Sequence, residues 1–212
     1  MNCYHNLLIA CLAAAGICHA ADTIEAFGLR WQVPIAADWK VEKIDGAPVL
    51  QLLVPRPSTA PRRPTQFALA ETPDFIKVTV EAEMKKEPAA LRDRHTSLMI
   101  AYAWRDLDHF NYAHLSVDSS ETQPVHNGIF HVDGGDRVRI SPRQGPGALA
   151  EDKWYAVRLV YDGTRGEVTV WADGKTTPSL HAVDTAFKAG RVGIGSFFDL
   201  GSFRNVKIVG EK

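Results

Sequence analysis

Beyond residue 20 the chain has no cysteine: its three, Cys3, Cys11 and Cys18, all lie in the first twenty of 212 residues. Without thiols that remainder can form no disulfide, no thiolate metal site and no cysteine nucleophile. An excess of charge is also missing. With 24 Lys and Arg against 25 Asp and Glu the formal net charge is −1, so no global field draws in nucleic acid or an anionic membrane. No apolar run approaches the roughly 20 residues that span a bilayer. No stretch carries a long apolar stripe at the 3.6-residue helical period. There is no His-x-His or His-Glu-x-x-His zinc spacing, no Gly-x-Ser-x-Gly elbow, no phosphate loop and no dinucleotide fingerprint, and Gly193-Ile194-Gly195 opens no helix.

What is present begins with an unusual N-terminus. Leu7 to Ile17 is apolar and built of small residues, residues 1–20 contain no Lys, Arg, Asp or Glu, and Cys18-His19-Ala20 precedes Ala21 as a signal-peptidase site would. We read residues 1–20 as an export signal and 21–212 as a single domain, delivered to the periplasm or exterior of a bacterial cell. Leu8-Ile9-Ala10-Cys11 offers an alternative, since it resembles a lipobox that would lipidate Cys11, but only ten residues precede that cysteine and the apolar run continues past it.

After this segment, candidate strands recur with turn chemistry between them: Phe27–Val33, Trp39–Ile44, Pro48–Val54, Gln66–Glu71, Phe75–Lys85, Ser97–Arg105, His109–Val117, Gly128–Val132 and Arg137–Ser141. In Phe75–Lys85, Ile76, Val78, Val80, Ala82 and Met84 alternate with Lys77, Thr79, Glu81, Glu83 and Lys85, a strand with one core face and one wet face. Trp154–Tyr161 and Glu167–Trp171 flank a glycine-bearing loop and read as a hairpin, with the Asp173-Gly174 turn after it. Asp45-Gly46, Asp133-Gly134-Gly135-Asp136 and Gln144-Gly145-Pro146-Gly147 are further turns, and the proline-rich, basic stretch Pro55–Pro64 reads as an exposed loop. The expected fold is all-β: a two-sheet antiparallel sandwich.

The closing segments Arg191-Val192-Gly193-Ile194-Gly195-Ser196-Phe197 and Phe203-Arg204-Asn205-Val206-Lys207-Ile208-Val209 resemble the last strands of a concanavalin A-like (laminin-G-like) jelly roll. The order Asp38-Trp39-Lys40-Val41, Asp74-Phe75 to Glu83, Arg105-Asp106 to Tyr112, Lys153-Trp154-Tyr155 and Asp173-Gly174-Lys175 is similar to that of the 3-keto-disaccharide hydrolase domain family. That resemblance implies two stacked sheets whose concave face handles oligo- or polysaccharide, and glycoside hydrolysis as an activity. One element departs from the pattern: Ser97-Leu98-Met99-Ile100 stands where an Asn-Ser-Gly-like segment is expected.

Chemistry-bearing residues concentrate between 109 and 139. His109, His114, His126 and His131 fall within 23 residues, together with Tyr112, Asn127, Arg137 and Arg139. Alternation puts Tyr112, His114 and Ser116 on one face and Ala113, Leu115 and Val117 on the other, and sends Val138 and Ile140 inward so that Arg137 and Arg139 face out. An imidazole, phenol and guanidinium surface of this kind suits sugar hydroxyls and carboxylates. Tyr112, His114, His126, Asn127, Arg137 and Arg139 are therefore candidate ligand-binding residues, the plain alternative being a solvated sheet face. Tyr112 with His114 could also abstract a proton in a polysaccharide lyase, a third and weaker reading. Glu81 and Glu83, about 7 Å apart on one strand face, are candidate glycosidase carboxylates. Trp171, with Val168, Val170 and Ala172 pointing the other way, is a candidate sugar-stacking platform. No cofactor is required; calcium is possible through Asp106, Asp108, Asp133 and Asp136, with Asp118 nearby.

Intact-mass measurement on exported protein should give a polypeptide starting near Ala21; a retained 1–20 segment or a lipid adduct on Cys11 would contradict the export reading.

Overall fold

The computed structural model describes residues 22–57, 59–87, 97–116, 126–142 and 153–212. The N-terminal segment with its cysteines, Val117, Asp118 and the Gln144–Gly147 turn lie outside the described residues. The strands, in chain order, are β1 (Asp22–Ala26), β2 (Leu29–Val33), β3 (Trp39–Ile44), β4 (Ala47–Leu52), β5 (Gln66–Ala70), β6 (Lys77–Lys86), β7 (Ser97–Asp106), β8 (His109–Ser116), β9 (Gly128–Asp133), β10 (Val138–Arg139), β11 (Trp154–Asp162), β12 (Glu167–Ala172), β13 (Leu180–Val183), β14 (Arg191–Ser196) and β15 (Gly201–Glu211). Among the described residues only Ala36–Asp38 is helical, as one 3-10 turn, and no helix is long and apolar enough to cross a membrane.

These strands form two antiparallel sheets, one of eight in the order β1-β2-β5-β14-β7-β8-β9-β10 and one of seven in the order β13-β12-β11-β6-β15-β4-β3. Period-2 alternation builds the core between them. Val78, Val80, Ala82 and Met84 of β6 meet Val157, Leu159, Val168 and Val170 of the β11–β12 hairpin, as expected, and Leu98, Ile100, Ala113, Leu115 and Ile194 oppose them from the other sheet. Ile76 does not join them; it precedes β6 and is half-exposed, while Phe75, bridged to Gly190, is buried in its place. The strand expected at Phe27–Val33 starts later, because Phe27 and Gly28 take positive φ values of 58° and 73° and make the tight turn between β1 and β2. The two strands at the seven-stranded sheet's ends include β13, for which sequence alternation offered no sign.

The eight-stranded sheet is apolar on both faces. Its outer face carries a second cluster of Phe67, Leu69, Met99, Ala101, Trp104, Phe110, Tyr112, Phe130 and Val132. Strands buried on both sides read as continuous apolar runs, as Phe67-Ala68-Leu69-Ala70 and Leu98 to Trp104 do. A bulge at Ala103, with φ 48°, shifts the alternation by one, so that Ala103 faces the inner core and Trp104 joins Phe67 (4.9 Å) and Phe110 (4.5 Å) outside. Gly190 packs on that bulge so closely that a Cβ there would strike the Ala103–Trp104 backbone.

The proline-rich stretch covers part of this outer cluster. Its first residues are exposed as expected, but Pro64 is buried and the arm is latched at three places. Arg56 pairs with the buried Asp38, the Arg62 amide donates to Asp136 Oδ1 (2.6 Å) while its carbonyl accepts from the Arg137 amide (3.0 Å), and Arg63 pairs with Asp108.

Leu159 is fully buried between the sheets, so Leu159→Ala should lower the unfolding free energy by about 2–5 kcal/mol. Chemical denaturation that places the variant level with the parent would refute this assignment of faces.

Candidate functional site

Parity sorts the candidate residues named above onto opposite faces of the molecule. Tyr112 and His114 of β8 do point away from the inter-sheet core, with Ala113 and Leu115 pointing into it. They are not an open surface: Tyr112 is 0% and His114 2% exposed. What covers them is Arg137. Its guanidinium lies 4.9 Å from the Phe130 ring and 4.3 Å from Phe197, and donates to the Tyr112 hydroxyl at 3.1 Å and to His114 Nδ1 at 3.2 Å. Phe197 in turn stacks on His114 at 6.1 Å.

Because Arg137 donates to Nδ1, the proton of neutral His114 sits on Nε2, which meets no partner among the described residues. Burial, then the neighbouring Arg137, His126, Arg139 and Arg62 charges, hold the His114 pKa well below its usual 6.5. Burial likewise pushes the Tyr112 phenol up to about 12, against the pull of Arg137. Both groups are thus neutral at physiological pH.

Arg139 has a different task. It donates to the carbonyls of His126, Asn127 and Pro142 and to Ser141 Oγ, and its guanidinium lies 5.0 Å from the Phe130 ring. It fills the space a Cβ at Gly128 would need. Arg139 therefore fastens the approach to β9 against β10. His126 lies 6.0 Å from His114, and Asn127 is buried at a positive φ of 42°. Val138, expected in the core, is 58% exposed because β10 is the sheet's edge. Above this assembly, between the arm and the end of β14, opens a pocket of about 450 Å³ lined by Pro57, Thr59, Ala60, Arg62, Asp136, Phe197 and Phe198. Arg62, Phe197 and Phe198 were not among the candidate site residues read from the sequence; the paired Arg62-Arg63 in the proline-rich stretch and the Phe197-Phe198 pair after β14 were the visible signals.

His109 and His131 lie on the opposite side of their strands. His131 Nδ1 is 2.8 Å from Asn111 Oδ1 and 3.0 Å from Asp184 Oδ2, and its ring stacks on Phe187 at 4.8 Å. His109 Nδ1 is 2.8 Å from Asp106 and its Nε2 is 3.5 Å from Asp133. The calcium candidates are accordingly divided: Asp106 and Asp133 serve histidines, while Asp108 and Asp136 latch the arm. No group of three or more His, Cys, Asp or Glu among the described residues is placed to hold a metal ion.

Glu81, Glu83 and Trp171 gather on the outer face of the seven-stranded sheet, away from the Tyr112 assembly. They line a groove of about 790 Å³ with Ala156, Arg158, Asn205 and Lys207. A bulge in β15 at Asn205, φ 52°, turns both Arg204 and Asn205 outward. Asn205 Nδ2 donates to Glu83 Oε1 (2.6 Å) and Arg204 Nε to Oε2 (2.7 Å), and these bonds, Asn205 foremost, hold the Glu83 carboxyl below the usual carboxylate range. Arg204 also lies 4.2 Å from the Trp154 ring, and Arg158 lies 5.0 Å from that of Trp171.

No protein-family model matches the chain, and no curated protein does. Solved structures do resemble it. The carbohydrate-binding module CBM66 from Bacillus subtilis aligns over 81% of this chain and 94% of its own, at TM-score 0.57 and 15% identity. The GH43 protein BlXynB from Bacillus licheniformis aligns over 90% of this chain but 38% of its own, at TM-score 0.58 and 10% identity. Alginate lyase vAL-1 from a Chlorella virus aligns over 82% and 89%, at TM-score 0.51 and 14% identity. At these identities the likeness is one of fold, and it agrees with the concanavalin A-like sandwich expected from the closing strands.

His114 makes stability pH-dependent. Its folded pKa is depressed below the unfolded 6.5, so between those values the unfolded chain binds more protons and stability falls as pH drops below about 6.5. His114→Gln should flatten this acid limb in melts taken across pH 4–8, whatever its effect at neutral pH; an unchanged limb would mean that His114 is not buried neutral.

Proposed function

We propose that this protein is a non-catalytic carbohydrate-binding β-sandwich whose ligand occupies the pocket over the outer face of the eight-stranded sheet. The observation that carries the reading is the clamped Arg137. A guanidinium fixed between Phe130 and Phe197, with two of its bonds spent on Tyr112 and His114, holds the wall of a pocket in which Arg62, Asp136 and Phe198 stand together. Rigid aromatic surface beside paired donor and acceptor groups suits a sugar ring, which offers C–H faces and hydroxyls. The fold supports the same reading, since the module from Bacillus subtilis, similar over nearly its whole length, is described as carbohydrate-binding. An exported bacterial protein of this kind would meet its saccharide in the periplasm or outside the cell.

The hydrolase and lyase alternatives find less support in the side chains. Glycoside hydrolysis needs a carboxylic acid held protonated beside a second carboxylate, yet Glu83 is pulled the other way by Asn205 and Arg204. Proton abstraction by Tyr112 would need a phenolate, and the Tyr112 pKa is pushed up to about 12.

Calorimetry against neutral and uronate-containing oligosaccharides should reveal a ligand, and Arg62→Ala should weaken it by roughly tenfold or more, the usual worth of a charge-assisted hydrogen bond. Neither new reducing ends nor an unsaturated product should appear on prolonged incubation. Turnover by the parent that His114→Ala or Glu83→Gln abolishes would replace the binding reading with an enzymatic one.

A further inference from the structure

The groove on the seven-stranded sheet brings a tryptophan, two cations and a carboxylate into one row. Cross-strand register sets Trp171, Arg158, Glu81 and Lys207 side by side on β12, β11, β6 and β15. At about 4.8 Å between strands this row spans roughly 14 Å. The next outward position along β11 is Ala156, opposite Glu83, and its small side chain leaves the floor of the groove open. Glu83 is saturated by Arg204 and Asn205. In contrast, neither Glu81 nor Lys207 has a hydrogen-bond or ion-pair partner among the described residues, although each is exposed in the row. Among the described residues Arg158 is engaged only through its face, over Trp171, and a stacked guanidinium keeps its N–H edge available to donate.

We infer that this groove is a second saccharide site, specific for uncharged sugar rings, on the face of the sandwich opposite the pocket described above. The row alternates donor, acceptor, donor: Arg158, Glu81, Lys207. A sulfated or carboxylated chain offers only acceptors at its charged groups and would face the Glu81 carboxylate at the centre of the row. Vicinal hydroxyls both donate and accept, so neighbouring hydroxyls of one ring satisfy Glu81 and the flanking cations together, while Trp171 supplies apolar surface for the C–H face. The inference rests on this row alone and holds whether or not the pocket binds sugar. With both sites filled, one molecule bridges two saccharide chains.

The test uses the full protein, with tryptophan fluorescence and calorimetry against neutral xylo-, cello-, malto- and fructo-oligosaccharides, and dextran sulfate as the polyanion. At least one neutral oligosaccharide should bind, and Glu81→Gln and Trp171→Ala should each weaken it about tenfold. Both substitutions lie on a solvent face, and unchanged melting confirms that each variant folds. Arg62→Ala separates the two sites, since it should weaken pocket binding by roughly tenfold or more and leave groove binding unchanged. The inference is overturned if no neutral oligosaccharide binds the Arg62→Ala protein, if Glu81→Gln and Trp171→Ala bind as the parent does, or if dextran sulfate is the ligand and Glu81→Gln tightens it.

Discussion

The eight-stranded sheet must be covered on both faces, and most of the molecule's particular features answer that requirement. Its inner face is closed by the other sheet. Its outer face presents aromatic rings of Phe67, Trp104, Phe110, Tyr112 and Phe130, an apolar area whose contact with water would be costly. The arm after β4 supplies the cover, held by Arg56, Arg62 and Arg63 on Asp38, Asp136 and Asp108. Arg137 completes it, contributing a flat guanidinium that packs as an aromatic ring would while keeping its hydrogen bonds. The pocket exists because this cover is incomplete between the arm and Phe197–Phe198.

Much of this was legible in the chain because alternation is a local property. The inner faces of β6, β8, β11 and β12, the wet side of Glu81 and Glu83 and the outward turn of Trp171 all follow from counting residues by twos. Three things defeat such counting. Bulges at Ala103 and Asn205 shift the parity within a strand, which is how Trp104 changes sides and how Arg204 and Asn205 both reach Glu83. Sheet membership is non-local, so Trp171 and Tyr112, both outward on their own strands, end on opposite sides of the molecule. Outward is also not the same as exposed: nothing in the order Tyr112-Ala113-His114 tells that Arg137 and a phenylalanine far later in the chain bury it.

The four histidines illustrate the distinction. Close in sequence, they separate into His114 behind Arg137, with His126 6.0 Å from it, and a pair on the other face near Asn111, Asp106 and Asp184. Density along the chain singled out β8 and β9, yet the sheet splits the cluster between its two faces. The charged candidates divide in the same manner. Arg137 clamps rings, Arg139 ties carbonyls, and the carboxylates proposed for calcium lie partly beside imidazoles and partly against the arm.

The extra residue at Asn205 also bears on how this chain can vary in length. Phe203 and Val206 both face the core although they stand an odd number of positions apart, a spacing that only the bulge permits. Loss of Asn205 would leave a more regular ladder but turn Val206 and Ile208 to solvent and Lys207 inward. Gain of a residue in the turns at Asp45-Gly46 or Asp173-Gly174 would disturb no such pairing. Insertions and deletions among descendants of this sequence are therefore filtered very unequally, with β15 nearly fixed in length and the hairpin ends free to drift.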